Sequence, residues 1–280
     1  MTDIQHSLDG VSKNMDRVLH RHDDQERQTI LNWLTSADYS SQQNDFIGRR
    51  QEGTGEWLLK SDEFQQWQNN EKHILFCPGI PGAGKTMITA IVVDHLCKTF
   101  RNDPGIGIAF LFCNFRQQQE QRLMDLFLSL LKQLAQRQPS LPECITRLYK
   151  DHARDQSRPP FSEISSALHS VIADYSRVFI IIDALDECSA TDGVLSQFLE
   201  ELFNLYTRTG SNIFATSRPI LDIPREFERQ ESSILEICAR AEDMRRYLDG
   251  HINKVSTFLR KTQETEEKIK TAIIRAADGM

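Results

Sequence analysis

The sequence predicts an α/β fold with a five-stranded, mainly parallel sheet that helices cover on both faces. From residue 73 onward, short apolar segments typical of strands alternate with segments whose apolar residues recur at helical spacing. That alternation indicates parallel strands joined by helical crossovers. The strand segments are continuously apolar, as expected of strands buried on both faces. We expect strands at residues 73–78, 106–115, 178–183, 212–217 and 233–237.

Ahead of the sheet, residues 1–44 are predicted to form a helical N-terminal segment. A heptad pattern of about two repeats runs through Ile4, Leu8, Val11, Met15 and Val18. So short a pattern fits a helix packed on the body of the protein as well as one that self-associates. Residues 40–55 are polar and contain glycine, which predicts a loop. An aromatic helical segment containing Trp57 and Trp67 then leads into the first strand.

The first strand runs into a complete G-x-x-x-x-G-K-[ST] sequence, which is typical of a phosphate-binding loop. Its glycines permit backbone angles that let amides close around phosphate oxygens, and the following helix N-terminus favours an anion. Lys85 is expected to reach the β- and γ-phosphates, and Thr86 to offer its hydroxyl to Mg²⁺. The predicted nucleotide contacts are Gly79, Pro81, Gly82, Ala83, Gly84, Lys85 and Thr86. These observations predict a P-loop NTPase.

The third predicted strand ends in Asp183, at the edge where open α/β sheets bind ligands. We therefore expect Asp183 to hold Mg²⁺ with Thr86, directly or through a water molecule. Asp186 and Glu187 follow, and Glu187, with Asp186, is a candidate general base that polarises the attacking water. The alternative is that both acids cap the next helix.

The fourth predicted strand delivers Arg218 to the same edge, because Pro219 stops the strand there. A guanidinium at this position can bind a γ-phosphate through paired hydrogen bonds; the alternative is a salt bridge with a neighbouring acid. One strand lies between Lys85 and Asp183, which favours ATPases with an inserted strand over kinases and small GTPases. The chain lacks the Asn/Thr-Lys-x-Asp sequence that is typical of guanine-binding sites. Its absence favours ATP and ADP as the ligands, with GTP as the alternative.

Composition excludes several other classes. The chain of 280 residues has a formal net charge of −7, which argues against a nucleic-acid partner. It shows no signal sequence or membrane segment. Its six cysteines are scattered without a C-x-x-C pair or zinc-ligand spacing, so we expect no disulfides and a reducing, cytoplasmic location.

After residue 238 the strand pattern ends, and apolar residues at helical spacing predict a helical subdomain over residues 239–280. The chain ends at Met280 without a capping sequence, so we expect this subdomain to be incomplete. The nucleotide-binding domain is then expected to span residues 45–238.

Three segments in this order resemble the NACHT domain of STAND-class P-loop NTPases. They are Gly-Ile-Pro-Gly-Ala-Gly-Lys-Thr at 79–86, Ile-Ile-Ile-Asp-Ala-Leu-Asp-Glu at 180–187 and Thr-Ser-Arg-Pro at 216–219. The small Ala184 and the following Asp-Glu pair separate NACHT domains from generic ATPases. The lead-in at 53–67 is similar to the nephrocystin-type N-terminal domain of fungal NACHT proteins, which often carry ankyrin or WD40 repeats. The resemblance covers residues 45–280.

The resemblance implies a nucleotide-dependent switch in signalling, nonself recognition or heterokaryon incompatibility. ADP would hold a closed form, and exchange for ATP would expose a surface for self-association through the nucleotide-binding domain or the N-terminal helix. Slow Mg²⁺-dependent hydrolysis is implied as well. The alternative is a scaffold or dimerisation module that nucleotide stabilises without turnover. NACHT proteins normally continue into a winged helix and sensor repeats, so we expect either a fragment or a chain that another protein complements.

Overall fold

A computed structural model describes residues 23–115, 122–188, 193–220, 222–255 and 263–277. The predicted heptad pattern lies outside these residues. Five strands form one sheet in the order β2-β3-β4-β1-β5, and every pairing is parallel. The strands are β1 (Ile74–Pro78), β2 (Ile106–Phe112), β3 (Arg177–Asp183), β4 (Asn212–Ser217) and β5 (Ser233–Ile234). The predicted α/β fold of a P-loop NTPase is confirmed.

The described part of the chain contains twelve helices. They are α1 (residues 23–34), α2 (Tyr39–Gly48), α3 (Glu56–Leu59), α4 (Asp62–Asn69), α5 (Lys85–Thr99), α6 (Leu123–Arg137), α7 (Glu143–Ala153), α8 (Phe161–Ala173), α9 (Val194–Thr209), α10 (Asp222–Glu228), α11 (Ala241–Val255) and α12 (Gln263–Ala277). A short 3₁₀ helix, Leu185–Glu187, follows β3. None of the helices in the described segments is long and apolar enough to cross a membrane.

The order of the strands places helices on both faces. The crossover from β1 through α5 to β2 moves across the sheet in one direction, and the crossover from β3 through α9 to β4 moves in the other. Because parallel crossovers are right-handed, α5 and α9 lie on opposite faces. The central strands are therefore buried on both sides, which explains their continuous apolar sequence.

The register brings three strand ends together. Pro78 of β1 lies beside Ser217 of β4, and Ile182 of β3 lies beside Ala215 of β4. The loop after β1, Asp183 and Arg218 therefore meet at one edge of the sheet.

Helix α2 corrects the predicted loop over residues 40–55. Asp38 caps the helix by accepting a hydrogen bond of 3.0 Å from the Ser41 amide. Gln43 is buried and donates its side-chain amide to the Ala90 carbonyl at 2.8 Å. A tertiary contact through a polar side chain thus fixes a helix whose sequence lacks a strong apolar stripe.

The outer edge of β2 is closed by a side chain. The Gln133 amide of α6 accepts from the Phe110 N–H at 3.0 Å and donates to the Phe110 carbonyl at 2.8 Å. An unpaired strand edge is a template for pairing with another chain. Gln133 occupies part of that edge in place of a further strand.

Helix α1 is attached to the C-terminus of α6. The Arg27 guanidinium donates to the carbonyls of Ala135, Gln138 and Pro139 at 3.3, 2.6 and 2.8 Å. Terminal carbonyls of a helix lack intrahelical partners, and a cation there also complements the helix dipole. The part of the N-terminal segment that the structure describes is therefore packed on the body of the protein.

Candidate functional site

All seven predicted phosphate-loop residues lie between the end of β1 and the first turn of α5. Pro81, Gly82 and Gly84 are at the surface, whereas Ala83 is buried. Gly82 and Gly84 have φ angles of +83° and +92°, in the left-handed region that favours glycine. The sequence therefore forms an open loop of backbone amides at the N-terminus of a long helix.

Gly79 is required for a different reason from the one the sequence suggested. Its φ angle is not among the positive ones, but a Cβ atom there would lie 2.5 Å from the Ile237 carbonyl oxygen. Gly79 also donates its N–H to the Ser217 carbonyl at 3.0 Å. The position needs glycine because the loop packs directly on the backbone that follows β5.

The ammonium of Lys85 lies over the loop. Its Nζ donates to the carbonyls of Gly79 and Ile80 at 2.7 and 3.0 Å. Burial lowers the pKa of Lys85, while the nearby Asp186 and Asp183 carboxylates oppose this shift. A phosphate group entering the loop would offer Lys85 charged oxygens in exchange for these two neutral carbonyls.

Asp183 is almost fully buried, with 2% of its surface exposed, and threonine hydroxyls surround its carboxylate. Thr86 Oγ1 donates to Oδ2 at 2.6 Å, and Thr89 and Thr216 donate to Oδ1 at 2.8 and 2.7 Å. Burial raises the pKa of Asp183, and the three hydroxyls oppose the increase. The structure thus brings the two predicted metal ligands, Thr86 and Asp183, into direct contact.

These oxygens suit Mg²⁺. The cation prefers oxygen ligands, is usually held by one or two protein groups and completes its shell with water and substrate phosphates. Thr86 and Asp183 offer such a pair beside the phosphate loop. Within the described residues, no cluster of three or more His, Cys, Asp or Glu side chains offers an all-protein metal site.

Asp186 is engaged with Arg218. Its carboxylate accepts from the Arg218 N–H at 2.8 Å, from Ser217 Oγ at 3.1 Å and from the Arg218 Nε. The Asp186 side chain is 1% exposed and the Arg218 side chain 45%. Burial alone would raise the pKa of Asp186, but these donors hold it below its usual value. The structure therefore contains the salt bridge that the sequence left open as an alternative for Arg218.

Glu187 lies on the 3₁₀ helix that follows a left-handed residue, Ala184, with φ of +53°. Its Oε2 accepts from the Phe115 N–H at 3.4 Å. The next long helix, α9, has Gly193 at its N-cap and no side-chain cap there. Within the described residues, the hydrogen bonds of the Asp186 and Glu187 carboxylates go to Ser217, Arg218 and Phe115 rather than to the first turn of α9.

The prediction that the chain has no disulfides is wrong. Cys113 and Cys188 are bonded, with their Cα atoms 5.1 Å apart. Cys113 follows β2 and Cys188 follows the 3₁₀ helix after β3; these strands are neighbours, and Phe112 lies beside Asp183. The sequence did not indicate that the two cysteines are close, because 75 positions separate them. The bond joins the segment that carries Glu187 to the end of β2.

A cavity of about 430 Å³ adjoins the phosphate loop on the side of α11. Its lining is mostly apolar and includes Trp57, Met87, Ile88, Met244, Tyr247 and Leu248. Its size and character fit a small organic ligand. The sequence did not predict it, because its walls come from four distant segments. The apolar stripe of α11 and the aromatic lead-in were the available signals.

Helix α11 is held against the turn that forms one wall of this cavity. Asp243 Oδ2 accepts from the Gly55 N–H at 2.9 Å, and Arg246 donates to the Gly53 carbonyl. The Arg240 guanidinium lies 3.8 Å from the centre of the Trp57 ring, within cation–π distance. These contacts fasten α11 to the turn on the other side of the cavity.

The lead-in, the phosphate loop, Asp183 and Arg218 all lie within the stretch of the chain that one family model matches. The family model described as nephrocystin 3, N-terminal, matches residues 53–218, more than half of the chain. The chain belongs to this family. The resemblance to nephrocystin-type NACHT proteins is thereby confirmed.

A curated relative of this nephrocystin-type chain is the vegetative incompatibility protein HET-E-1 of Podospora anserina. The two are 31% identical over 169 residues, which is 59% of this chain and 11% of that protein. The match therefore spans about a tenth of the length of HET-E-1.

Solved structures with a similar fold include a DNA replication initiation factor, with 12% identity and a TM-score of 0.44 over 82% of this chain and 61% of that one. The ORC1 protein of Aeropyrum pernix in complex with DNA has 14% identity and a TM-score of 0.43 over 69% and 47%. The DNA in that complex is a ligand of ORC1. At these scores neither likeness indicates a ligand for the nephrocystin-type chain.

Proposed function

We propose that this nephrocystin-type chain is a nucleotide-dependent molecular switch that binds ATP and ADP with Mg²⁺, with GTP as a further candidate. The observation that carries the proposal is the convergence of Lys85, Thr86 and Asp183 beside an open phosphate loop. The bond of 2.6 Å between Thr86 and Asp183 pairs the two oxygens suited to a cation. Its nucleotide-binding domain is proposed to span residues 45–238, with the helical subdomain beginning at 239.

In this role each part of the site binds a different part of the nucleotide. Loop amides and Lys85 bind the phosphates, because the N-terminus of α5 favours anions. Thr86 and Asp183 hold Mg²⁺, which neutralises phosphate charge when bound. The cavity beside Trp57 receives the base, and α11 covers it.

Arg218 is the proposed reporter of the γ-phosphate. Nearly half of its side chain is exposed, while Asp186 anchors its Nε and backbone N–H. A γ-phosphate would compete with Asp186 for the guanidinium, since both are anions that accept paired hydrogen bonds. Loss of that phosphate would return Arg218 to Asp186 alone, which gives the site two states.

The wider role is proposed from the relative. HET-E-1 is named for vegetative incompatibility, so we propose that the switch acts in signalling or nonself recognition. Self-association through the nucleotide-binding domain or the N-terminal segment would transmit its state.

Equilibrium binding of fluorescent ATP and ADP analogues tests the proposal. Lys85→Ala should weaken binding at least about tenfold, because a charge-assisted contact with phosphate is lost. Lys98→Ala, on the exposed end of the same helix, is the matched control and should bind as the wild type does. Wild-type protein without detectable binding, or equal affinities for all three proteins, would overturn the proposal.

A second function, a scaffold that nucleotide stabilises without turnover, is favoured by one observation. Asp186 and Glu187, the two candidate bases, both accept hydrogen bonds from the protein itself. Turnover of Mg²⁺-ATP by wild type and Glu187→Gln separates the two functions. A wild-type rate that falls in Glu187→Gln supports hydrolysis, whereas equal background rates with intact binding support the scaffold.

A further inference from the structure

The carboxylate of Asp183 is held on the side that faces away from Thr86. Thr89, one turn further along α5, and Thr216, near the end of β4, both donate to Oδ1. Both threonines are fully buried. An ionised carboxylate oxygen accepts about two hydrogen bonds. The hydroxyls of Thr89 and Thr216 therefore use the whole hydrogen-bond acceptor capacity of Oδ1.

The other oxygen is in a different situation. Within the described residues, Thr86 is the one recorded donor to Oδ2, which leaves this oxygen with acceptor capacity beside the phosphate loop. The carboxylate cannot rotate without breaking both bonds on Oδ1. Its remaining acceptor capacity is consequently directed toward the side where Thr86 and the loop lie.

Thr216 makes a second bond that extends this arrangement. Its Oγ1 accepts from the Ala184 N–H at 2.9 Å while donating to Asp183. Ala184 has a left-handed conformation, which is uncommon for residues other than glycine. The same hydroxyl thus fixes both the carboxylate and the turn that starts the segment carrying Asp186 and Glu187.

We propose that Thr89 and Thr216 are positioning residues for the divalent cation at this site. By occupying Oδ1 they present Oδ2 of Asp183 to the cation or to one of its water ligands. Neither residue touches the nucleotide in this scheme. Because this role presupposes the proposed nucleotide binding, its test must separate metal dependence from binding itself.

Thr89→Val and Thr216→Val remove the hydroxyls and keep the side-chain shape. Thr99→Val, at the exposed end of α5, is the matched control. Binding of N-methylanthraniloyl-ATP is measured by fluorescence, first in EDTA and then across a Mg²⁺ titration. We expect each buried variant to raise the half-saturating Mg²⁺ concentration about tenfold, as for loss of one hydrogen bond to a charged group. Affinity in EDTA should stay at the wild-type value.

Thr89→Ser and Thr216→Ser restore a hydroxyl and should recover most of the wild-type Mg²⁺ response. Rescue also separates positioning from folding. Serine keeps the hydroxyl but loses the methyl group that threonine packs in the core, so recovery of the Mg²⁺ response must come from the hydroxyl and not from packing. Valine variants with a wild-type Mg²⁺ response, or serine variants no better than valine ones, would overturn this role alone. A wild-type protein that binds no nucleotide would overturn the proposed function as well.

Discussion

Individual residues of the phosphate loop are constrained by what packs behind them. Gly79 lies against the Ile237 carbonyl. The Lys85 ammonium donates hydrogen bonds to two carbonyls of the loop. Asp183 is surrounded by hydroxyls from α5 and β4. The loop is therefore shaped by the sheet edge as well as by its own glycines.

Gly79→Ala should destabilise the fold by about 1–3 kcal/mol, the usual cost of overpacking. The added Cβ would lie 2.5 Å from a backbone oxygen that cannot rotate away. Urea unfolding of the wild type, of Gly79→Ala and of a control variant measures the loss of stability. Gly48→Ala, where no atom lies within 4 Å of the added Cβ, is the control. Equal free energies of unfolding for the two variants would contradict the packing described for Gly79.

Asp186→Asn should lower the free energy of unfolding at pH 7 by about 1 kcal/mol, which is below the usual value for charged hydrogen bonds because Arg218 is half exposed. Its donors lower the pKa of Asp186 in the folded state. The stability it contributes is therefore present above the pKa of an unfolded aspartate, about 3.9, and is lost as the pH falls further through the folded pKa.

The difference between wild type and Asp186→Asn should accordingly hold from pH 7 to about pH 4 and shrink below it. Urea unfolding at pH 7, 5 and 3 measures this. Asp45→Asn, which breaks an exposed pair with Arg49, should change stability little at any of these values. A difference that grows toward pH 3 would contradict the direction of the shift.

At the scale of elements, the strands and the phosphate-loop helix could be predicted because their residues are contiguous and strongly apolar. Helix α2 could not, since a buried Gln43 and a cap rather than a stripe of apolar residues hold it. Thr89 lies within an apolar helix and carries no local sign that it bonds to Asp183, 94 positions away. Both features depend on hydrogen bonds between polar side chains and distant residues, which a local sequence pattern does not reveal.

The β2 edge gives a prediction at this scale. Gln133→Ala removes both bonds to Phe110 and should lower the free energy of unfolding by about 1–2 kcal/mol. It should also increase light scattering on mild heating, because more of the strand edge is open to pairing. Gln136→Ala, at an exposed position of the same helix, is the control. Indistinguishable variants would show that Gln133 does not protect the edge.

For the whole molecule, two long-range connections determine how the site is assembled. The disulfide joins the β2 end to the segment after β3, and α11 is fastened to the turn at residues 53–57. The first holds the segment that carries Glu187, and the second fixes α11 beside the apolar cavity. In the proposed switch, α11 and the segment at residues 184–188 are the elements that would transmit the nucleotide state.

The disulfide predicts a thiol count. Four of the six cysteines, Cys77, Cys97, Cys144 and Cys238, should react with a thiol reagent in denaturant without reductant, and all six after reduction. Reduction should lower the free energy of unfolding by about 4 kcal/mol on the loop-entropy scale for this separation. Six reactive thiols before reduction would contradict the bond.

Hydrogen–deuterium exchange with Mg²⁺ and either ADP or ATP tests the switch most directly. The account predicts that both nucleotides slow exchange at residues 79–86, and that ATP and ADP differ at residues 184–188 and around Arg218. Slower exchange along α11 is expected with either nucleotide, because the base fills the cavity that it covers. Exchange that neither nucleotide changes, or that ATP and ADP change identically in every segment, would contradict a nucleotide-dependent switch.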